Sequence, residues 1–108
     1  MMNITRAERE TLNLIDLHSR HVNCIRLHKN TTRAHRDKIV EICNWMLDHN
    51  YKFITEAKFK DGGRADIVCL NEGVAYEVMD SEMKKKVRTK QYPIPTYYIG
   101  VDEEWKGL

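Results

Sequence analysis

Two acidic residues in the middle of the chain have the types and spacing of a metal-binding pair. Asp66 follows a glycine turn, Glu77 lies on the next predicted strand, and each interrupts an apolar run. Adjacent strands can bring the two carboxylates close together, where like charges are costly unless a cation lies between them. Mg²⁺ or Mn²⁺ selects such oxygen ligands, and the bound ion can polarise a phosphate and activate water. The pair therefore predicts a divalent-cation site with phosphodiester chemistry.

The strands that must position these acids are predicted from a change of periodicity. After residue 51 the apolar pattern turns from helical to alternating, which predicts an antiparallel meander of three strands. The predicted strands are 52–60, 64–70 and 74–79, joined by turns at 61–63 and 71–73. On regular strands Asp66 would share a face with Val68 and Leu70, and Glu77 would share one with Ala75 and Met79.

Two helical segments are predicted before the meander. A capping box at Thr5 begins a first helix that extends to about His18. Residues 19–29 fit either a continued helix or an extended segment, and the sequence leaves this open. Thr31 or Thr32 caps a second helix, whose apolar face comprises Ile39, Ile42, Cys43, Met46 and Leu47.

A basic helix and a last strand are predicted after the meander. Asp80 or Ser81 would cap a short helix running to about Gln91, and residues 96–101 form an apolar strand beside the meander. The densest basic run lies on this helix: Lys84, Lys85, Lys86, Arg88 and Lys90. It is either a solvated face or a surface that contacts nucleic-acid phosphates, the second being sequence-independent and salt-sensitive.

The motifs Gly63-Arg64-Ala65-Asp66-Ile67 and Tyr76-Glu77-Val78 resemble those of the PD-(D/E)xK nuclease superfamily, which includes restriction endonucleases and archaeal Holliday-junction resolvases. The resemblance extends from about Thr31 to Val101. It implies an α/β fold with a restriction-endonuclease-like αβββαβ core and a mixed four-stranded sheet. The chain would be one domain, 1–108, with residues 1–30 as a helical N-terminal extension and 31–101 as the core.

The same resemblance implies a set of site residues. Asp66 and Glu77 would bind Mg²⁺ or Mn²⁺ together with the backbone carbonyl of Val78. An acid from the preceding helix or the first strand would complete the site, and the candidates are Glu41 and Glu56.

The chain departs from the family at the motif lysine, which Met79 replaces. A thioether carries no charge, so the cationic role at the attacking water must come from another residue. Lys58 on the first strand, or Lys84 or Lys85 on the basic helix, could supply it. The catalytic set predicted from the sequence is therefore Glu56, Asp66, Glu77 and Lys58.

These residues lead to one main function and two alternatives. The main hypothesis is a Mg²⁺-dependent nuclease that hydrolyses phosphodiester bonds in DNA. By its resemblance to the resolvases, it would be resolvase-like and act as a homodimer. The first alternative is a catalytically inactive nuclease fold that binds nucleic acid or a protein, and the second is a helix-turn-helix regulator. In the plainest interpretation, Asp66 supports a turn or pairs with Arg64, and Glu77 forms a cross-strand ion pair.

Composition excludes several other classes. The 108 residues carry a formal charge of only +2, and the three cysteines lie far apart without a Cys-x-x-Cys pair. The histidines and Cys24 between residues 18 and 28 would spread over a helix too widely for a tetrahedral zinc site. No apolar run reaches the roughly 18 residues that span a bilayer. The sequence thus predicts a cytoplasmic protein, in the host cytoplasm if it is viral, without a membrane partner.

Overall fold

The computed structural model of the chain describes residues 4–80 and 92–108. Two α-helices, a short 3₁₀ segment at Leu17–Ser19 and one four-stranded sheet lie within these ranges. The elements are α1 (Arg6–Asn13), α2 (Arg33–Asp48), β1 (Phe53–Lys58), β2 (Arg64–Cys69), β3 (Val74–Met79) and β4 (Thr96–Gly100). The prediction of an α/β fold with four strands is confirmed.

The sheet has the order β1-β2-β3-β4. β1 and β2 pair antiparallel, β2 and β3 also pair antiparallel, and β4 lies parallel to β3. The predicted meander and the mixed sheet are therefore confirmed. A parallel pair needs a crossover connection. The predicted basic helix from Asp80 or Ser81 to Gln91, with its five cationic side chains, falls on residues 81–91, outside the described residues.

Helix α1 is shorter than the sequence predicts. The Thr5 side chain accepts a hydrogen bond from the Glu8 amide at 3.2 Å, as the capping box requires. The helix nevertheless ends at Asn13, not at His18. Ile15 is fully buried and forms an isolated bridge with Phe59. Burial of this side chain against the sheet ends the helix, so the prediction of a longer helix was wrong.

The open question about residues 19–29 is resolved by pairing with the sheet edge. Val22 forms a bridge with Ile54, and the Asn23 amide donates to the Phe53 carbonyl at 2.7 Å. This segment satisfies main-chain groups along β1 that an edge strand would otherwise leave unpaired. Much of residues 4–30 is thus irregular or extended, contrary to the helical expectation for the N-terminal extension 1–30.

The two faces of the sheet support separate apolar clusters. One packs against α2 and contains Ile39, Ile42, Cys43, Met46, Phe53, Ile67, Cys69, Tyr76, Val78 and Ile99. The other contains Ile15, Ile54, Ala57, Phe59, Ala65, Val68, Leu70 and Ala75. The predicted apolar face of α2 is correct except for Leu47, which is exposed. Within the described ranges, no helix has the length and apolar character to cross a membrane.

Candidate functional site

The regular alternation of side chains breaks at the same level in β1 and β2. The register pairs Thr55 with Ile67 and Ala57 with Ala65, which leaves Glu56 opposite Asp66. Ile67 packs on the α2 side, whereas Ala65 packs in the opposite cluster. At Glu56 and Asp66, the side chains of both strands therefore switch to the opposite face of the sheet, while the pairing of residues between the strands is unchanged.

This reversal corrects the predicted orientation of Asp66. The sequence placed Asp66 on one face with Val68 and Leu70, but those two residues belong to the cluster away from α2. Asp66 instead reaches His35 on α2. Regular alternation fails here because the backbone is distorted at the facing residue, Glu56.

Glu56 has a φ of 51°, in the left-handed region that a non-glycine residue seldom adopts. Ser19 stabilises the distortion from outside the strand. Its hydroxyl donates to the Glu56 carbonyl at 3.2 Å and accepts from the Lys58 amide at 2.9 Å. Such strained backbone is often found at functional sites.

Asp66 occupies the point where β2 and β3 separate. The β2–β3 register ends at the pair Ile67 and Tyr76. Beyond it, the Val78 amide donates to Asp66 Oδ2 at 2.8 Å. The same oxygen lies 3.3 Å from His35 Nε2. The Asp66 carboxylate thus accepts the hydrogen bond from the Val78 amide that a main-chain carbonyl of β2 would accept if the pairing of β2 and β3 continued.

The charges of this pair stabilise each other. Burial raises the pKa of the Asp66 carboxyl, but side-chain hydrogen bonds with His35 and Glu77 and a hydrogen bond from the Val78 amide lower it, and the net pKa lies below its ordinary value. The hydrogen bond to Asp66 raises the pKa of His35 above 6.5, against the opposing effect of burial. His35 also bonds to the Val78 backbone. The Asp66 carboxylate is therefore ionised, and its contact with His35 favours the protonated imidazole.

Glu77 lies beside Asp66 and is only 5% exposed. Its side chain contributes a hydrogen bond to Asp66, so the sequence prediction that these acids meet is consistent with the geometry. The Tyr92 hydroxyl contacts Glu77 Oε1 and lies 2.6 Å from the Arg64 carbonyl. Burial, and then the bond to Glu77, raises the pKa of Tyr92, which keeps its proton available for donation.

The other predicted site residues divide into two groups. Glu56 lines the same narrow gap as Asp66, and Lys58 and Glu56 line an adjoining cleft. Glu41 lies elsewhere: its carboxylate pairs with Lys38 at 3.0 Å on a different face of α2. The helix residue that reaches Asp66 is His35, and the role predicted for Glu41 stays a prediction.

Met79 is buried at the end of β3, with 4% of its surface exposed. No charged group is supplied at this position. Lys84 and Lys85, two of the proposed substitutes for the motif lysine, fall outside the described residues, and Lys58 lies in the adjoining cleft. His35 is the basic side chain in hydrogen-bond contact with Asp66.

The gap between α2 and the two strands has a volume of about 10 Å³ and is lined by His35, Glu56 and Asp66 among others. This is close to the volume that one water molecule requires. Within residues 4–80 and 92–108, no group of three or more His, Cys, Asp or Glu side chains is arranged to hold a metal ion. Asp66 and Glu77 provide hard oxygen atoms of the kind that Mg²⁺ prefers, and the Val78 carbonyl stays a predicted ligand.

No protein-family model, curated protein or solved structure matches this chain. The resemblance to the PD-(D/E)xK superfamily rests on the motif residues around Asp66 and Glu77. The geometry adds that these two motif acids lie together.

Three residues of the site were missed by the sequence analysis. His35 was overlooked because an acid was expected from the helix. Its position in the first turn after the predicted cap, Thr32, could have indicated it. Tyr92 received no role, because it follows the predicted basic helix that runs to about Gln91. Ser19 had no local signal, because its role depends on Glu56, 37 positions away in the sequence.

Proposed function

We propose that this protein is a metal-dependent nuclease that hydrolyses phosphodiester bonds in DNA, on a core similar to that of the PD-(D/E)xK superfamily. The main support is the contact between Asp66 and Glu77 at the point where β2 and β3 separate. Asp66 is held ionised there by its neighbours. Two strand carboxylates at a sheet opening form a binding site for a hard cation.

The roles of the site residues follow from their contacts. The carboxylates of Asp66 and Glu77 and the Val78 carbonyl would hold Mg²⁺ or Mn²⁺. The bound cation would polarise a phosphate and lower the pKa of a water nucleophile. The Val78 amide orients Asp66, and Tyr92 orients Glu77. Their hydrogen bonds fix both carboxylates before a substrate arrives, which reduces the reorganisation needed for reaction.

His35 is our candidate for the positive charge that the family takes from its lysine. It contacts Asp66, and its raised pKa favours the imidazolium form. A positive charge beside the carboxylates would stabilise negative charge that develops on a phosphate. Residues 84–90, the predicted basic surface, would contact the DNA backbone, and a homodimer would be needed to act on two strands.

A catalytically inactive nuclease fold is the second candidate. Met79 favours it, because its buried thioether replaces a charged group of the family motif. In that case the same surface would bind nucleic acid without cleaving it. Cation binding and cleavage, measured separately, distinguish the two functions.

The test combines a cleavage assay with cation binding. We expect the wild type to cut DNA with Mg²⁺ or Mn²⁺, and Asp66→Asn and Glu77→Gln each to reduce cleavage at least about a hundredfold. Thermal stability should rise with Mn²⁺ in the wild type and not in Asp66→Asn. Glu10→Gln is the matched control, since Glu10 is an exposed acid paired with Arg6 on α1.

Three outcomes separate the hypotheses. Cation binding with cleavage supports the nuclease. Cation binding without cleavage on any tested DNA supports the inactive fold. If calorimetry detects no Mn²⁺ binding and Asp66→Asn behaves like Glu10→Gln, the metal site is refuted.

A further inference from the structure

A polar cleft adjoins the carboxylate site on the side of the N-terminal segment. Its volume is about 410 Å³. The lining residues are Asp16, His18, Ser19, Arg26, Leu27, His28, Glu56, Lys58 and Arg64. Glu56, Arg26, Leu27 and His28 also line the gap beside Asp66, so the cleft borders that gap.

Three exposed cations line this cleft: Arg26, Lys58 and Arg64. Within the described parts of the chain, no carboxylate lies within ion-pair distance of any of them. One of the two acids in the lining, Asp16, accepts a hydrogen bond from the His18 amide at 2.9 Å. The cleft thus has three Lys and Arg side chains against two acids, Asp16 and Glu56, and none of these cations takes part in an ion pair of the described residues.

The strand register places two of these cations directly opposite each other. Lys58 and Arg64 are direct cross-strand partners of β1 and β2. Like charges directly opposite each other destabilise a sheet. An anion bound between them removes that repulsion, and phosphate matches the donors of both lysine and arginine. The pair is thus suited to a phosphate group close to the carboxylates.

The size of the cleft limits the ligand. A volume of about 410 Å³ lies in the range of about 300–1,000 Å³ that is typical of sites for small molecules. A cleft of this size holds a small part of a nucleic-acid strand at a time. A base-paired helix, whose major groove by itself admits an α-helix, is too bulky to enter this cleft and can only lie across its mouth.

We propose that this cleft binds an unpaired nucleic-acid segment, with a backbone phosphate held by Arg26, Lys58 and Arg64 next to the phosphodiester at Asp66 and Glu77. The proposal rests on the proposed nuclease function and specifies its substrate: a single strand, a flap or a frayed end. The base-paired part of such a substrate would remain outside the cleft.

The experiment measures binding in EDTA, so that cleavage cannot contribute. A fluorescent single-stranded oligodeoxynucleotide and the duplex of the same sequence are titrated with wild-type protein. We expect the single strand to bind at least about tenfold more tightly, with a steep dependence on salt. The double variant Lys58→Ala with Arg64→Ala should weaken single-strand binding at least about tenfold, and Arg26→Ala should weaken it less.

Controls separate this proposal from the proposed catalytic activity. Arg9→Ala removes an exposed cation on α1, outside the cleft, and should leave binding unchanged. Asp66→Asn should bind the single strand at least as tightly as the wild type while losing cleavage. Loss of cleavage with this binding pattern intact would contradict only the nuclease function.

Two results would overturn the cleft proposal. One is duplex binding as tight as single-strand binding. The other is an effect of the double variant no larger than that of Arg9→Ala. If the double variant is poorly folded by circular dichroism, NMR titration of the wild type with a trinucleotide replaces it. The amides of Arg26, Lys58 and Arg64 must then shift at lower ligand concentration than that of Arg9.

Discussion

The Val78 amide donates to Asp66 Oδ2 at 2.8 Å, so a β2 side chain replaces a main-chain bond between β2 and β3. Val78 is also the residue whose carbonyl is expected to bind the cation. This relationship links the candidate site to the stability of the sheet. A substitution at Asp66 therefore affects both folding and cation binding, and the choice of variant separates the two effects.

The first prediction compares Asp66→Ala with Asp66→Asn. Alanine leaves the buried Val78 amide without its acceptor, which should lower the free energy of unfolding by about 1–3 kcal/mol. Asparagine keeps an acceptor oxygen and should cost less, although both variants lose cation binding. Urea denaturation followed by circular dichroism, without divalent cations, measures the difference. Equal stabilities for the two variants would show that the bond to Val78 contributes little.

The second prediction concerns pH and the contact between His35 and Asp66. The pKa of His35 is raised in the folded state, so its contribution is fully present below 6.5 and is lost as pH rises through the folded pKa. The pKa of Asp66 is lowered, so its contribution is present above 3.8 and is lost as pH falls through the folded value. In protein without bound cations, the pair of His35 and Asp66 should therefore add most to the free energy of unfolding between about pH 3.8 and pH 6.5.

His35→Gln tests this pH dependence. Melting temperatures across the pH range should show the wild type losing its advantage over the variant as pH rises above 6.5. His49→Gln, on an exposed histidine at the end of α2, is the control. A constant difference between wild type and His35→Gln from pH 5 to pH 9 would contradict the ion pair.

The third prediction concerns the left-handed backbone of Glu56. Glycine adopts this conformation without a steric penalty, so Glu56→Gly should keep the stability of the wild type or increase it by up to about 1 kcal/mol. Glu56→Val should destabilise the protein by more than that, because a β-branched residue is strained at a φ of 51°. Chemical denaturation of both variants gives the comparison. A more stable valine variant would show that this backbone is not strained.

The fourth prediction concerns Met79, the residue at the position of the motif lysine. Met79→Lys places a charge in a buried position and should lower the melting temperature. If a missing cation limits the reaction, the same variant should raise Mg²⁺-dependent cleavage by about a hundredfold. Met79→Leu preserves the apolar volume and should leave cleavage unchanged. No increase in a folded Met79→Lys variant would show that another group, such as His35, already supplies the charge.

The sequence by itself determined helix α2, strands β2 and β3 and the central pair of acids. Helix α2 and strands β2 and β3 have strong local periodicity, and glycine turns delimit the strands, so their positions follow from nearby residues. The proximity of Asp66 and Glu77 also follows from two adjacent strands joined by a short turn. Local patterns were sufficient wherever the controlling interactions lie within one element or one hairpin.

Only the tertiary structure decided which way Asp66 points and which helix residue meets it. Periodicity assumes a regular strand, but Glu56 adopts a left-handed backbone that Ser19, from the N-terminal segment, stabilises through two hydrogen bonds. The reversal turns Asp66 toward His35, a partner 31 positions away. No local pattern encodes such contacts, because their free energy arises only when distant segments pack together.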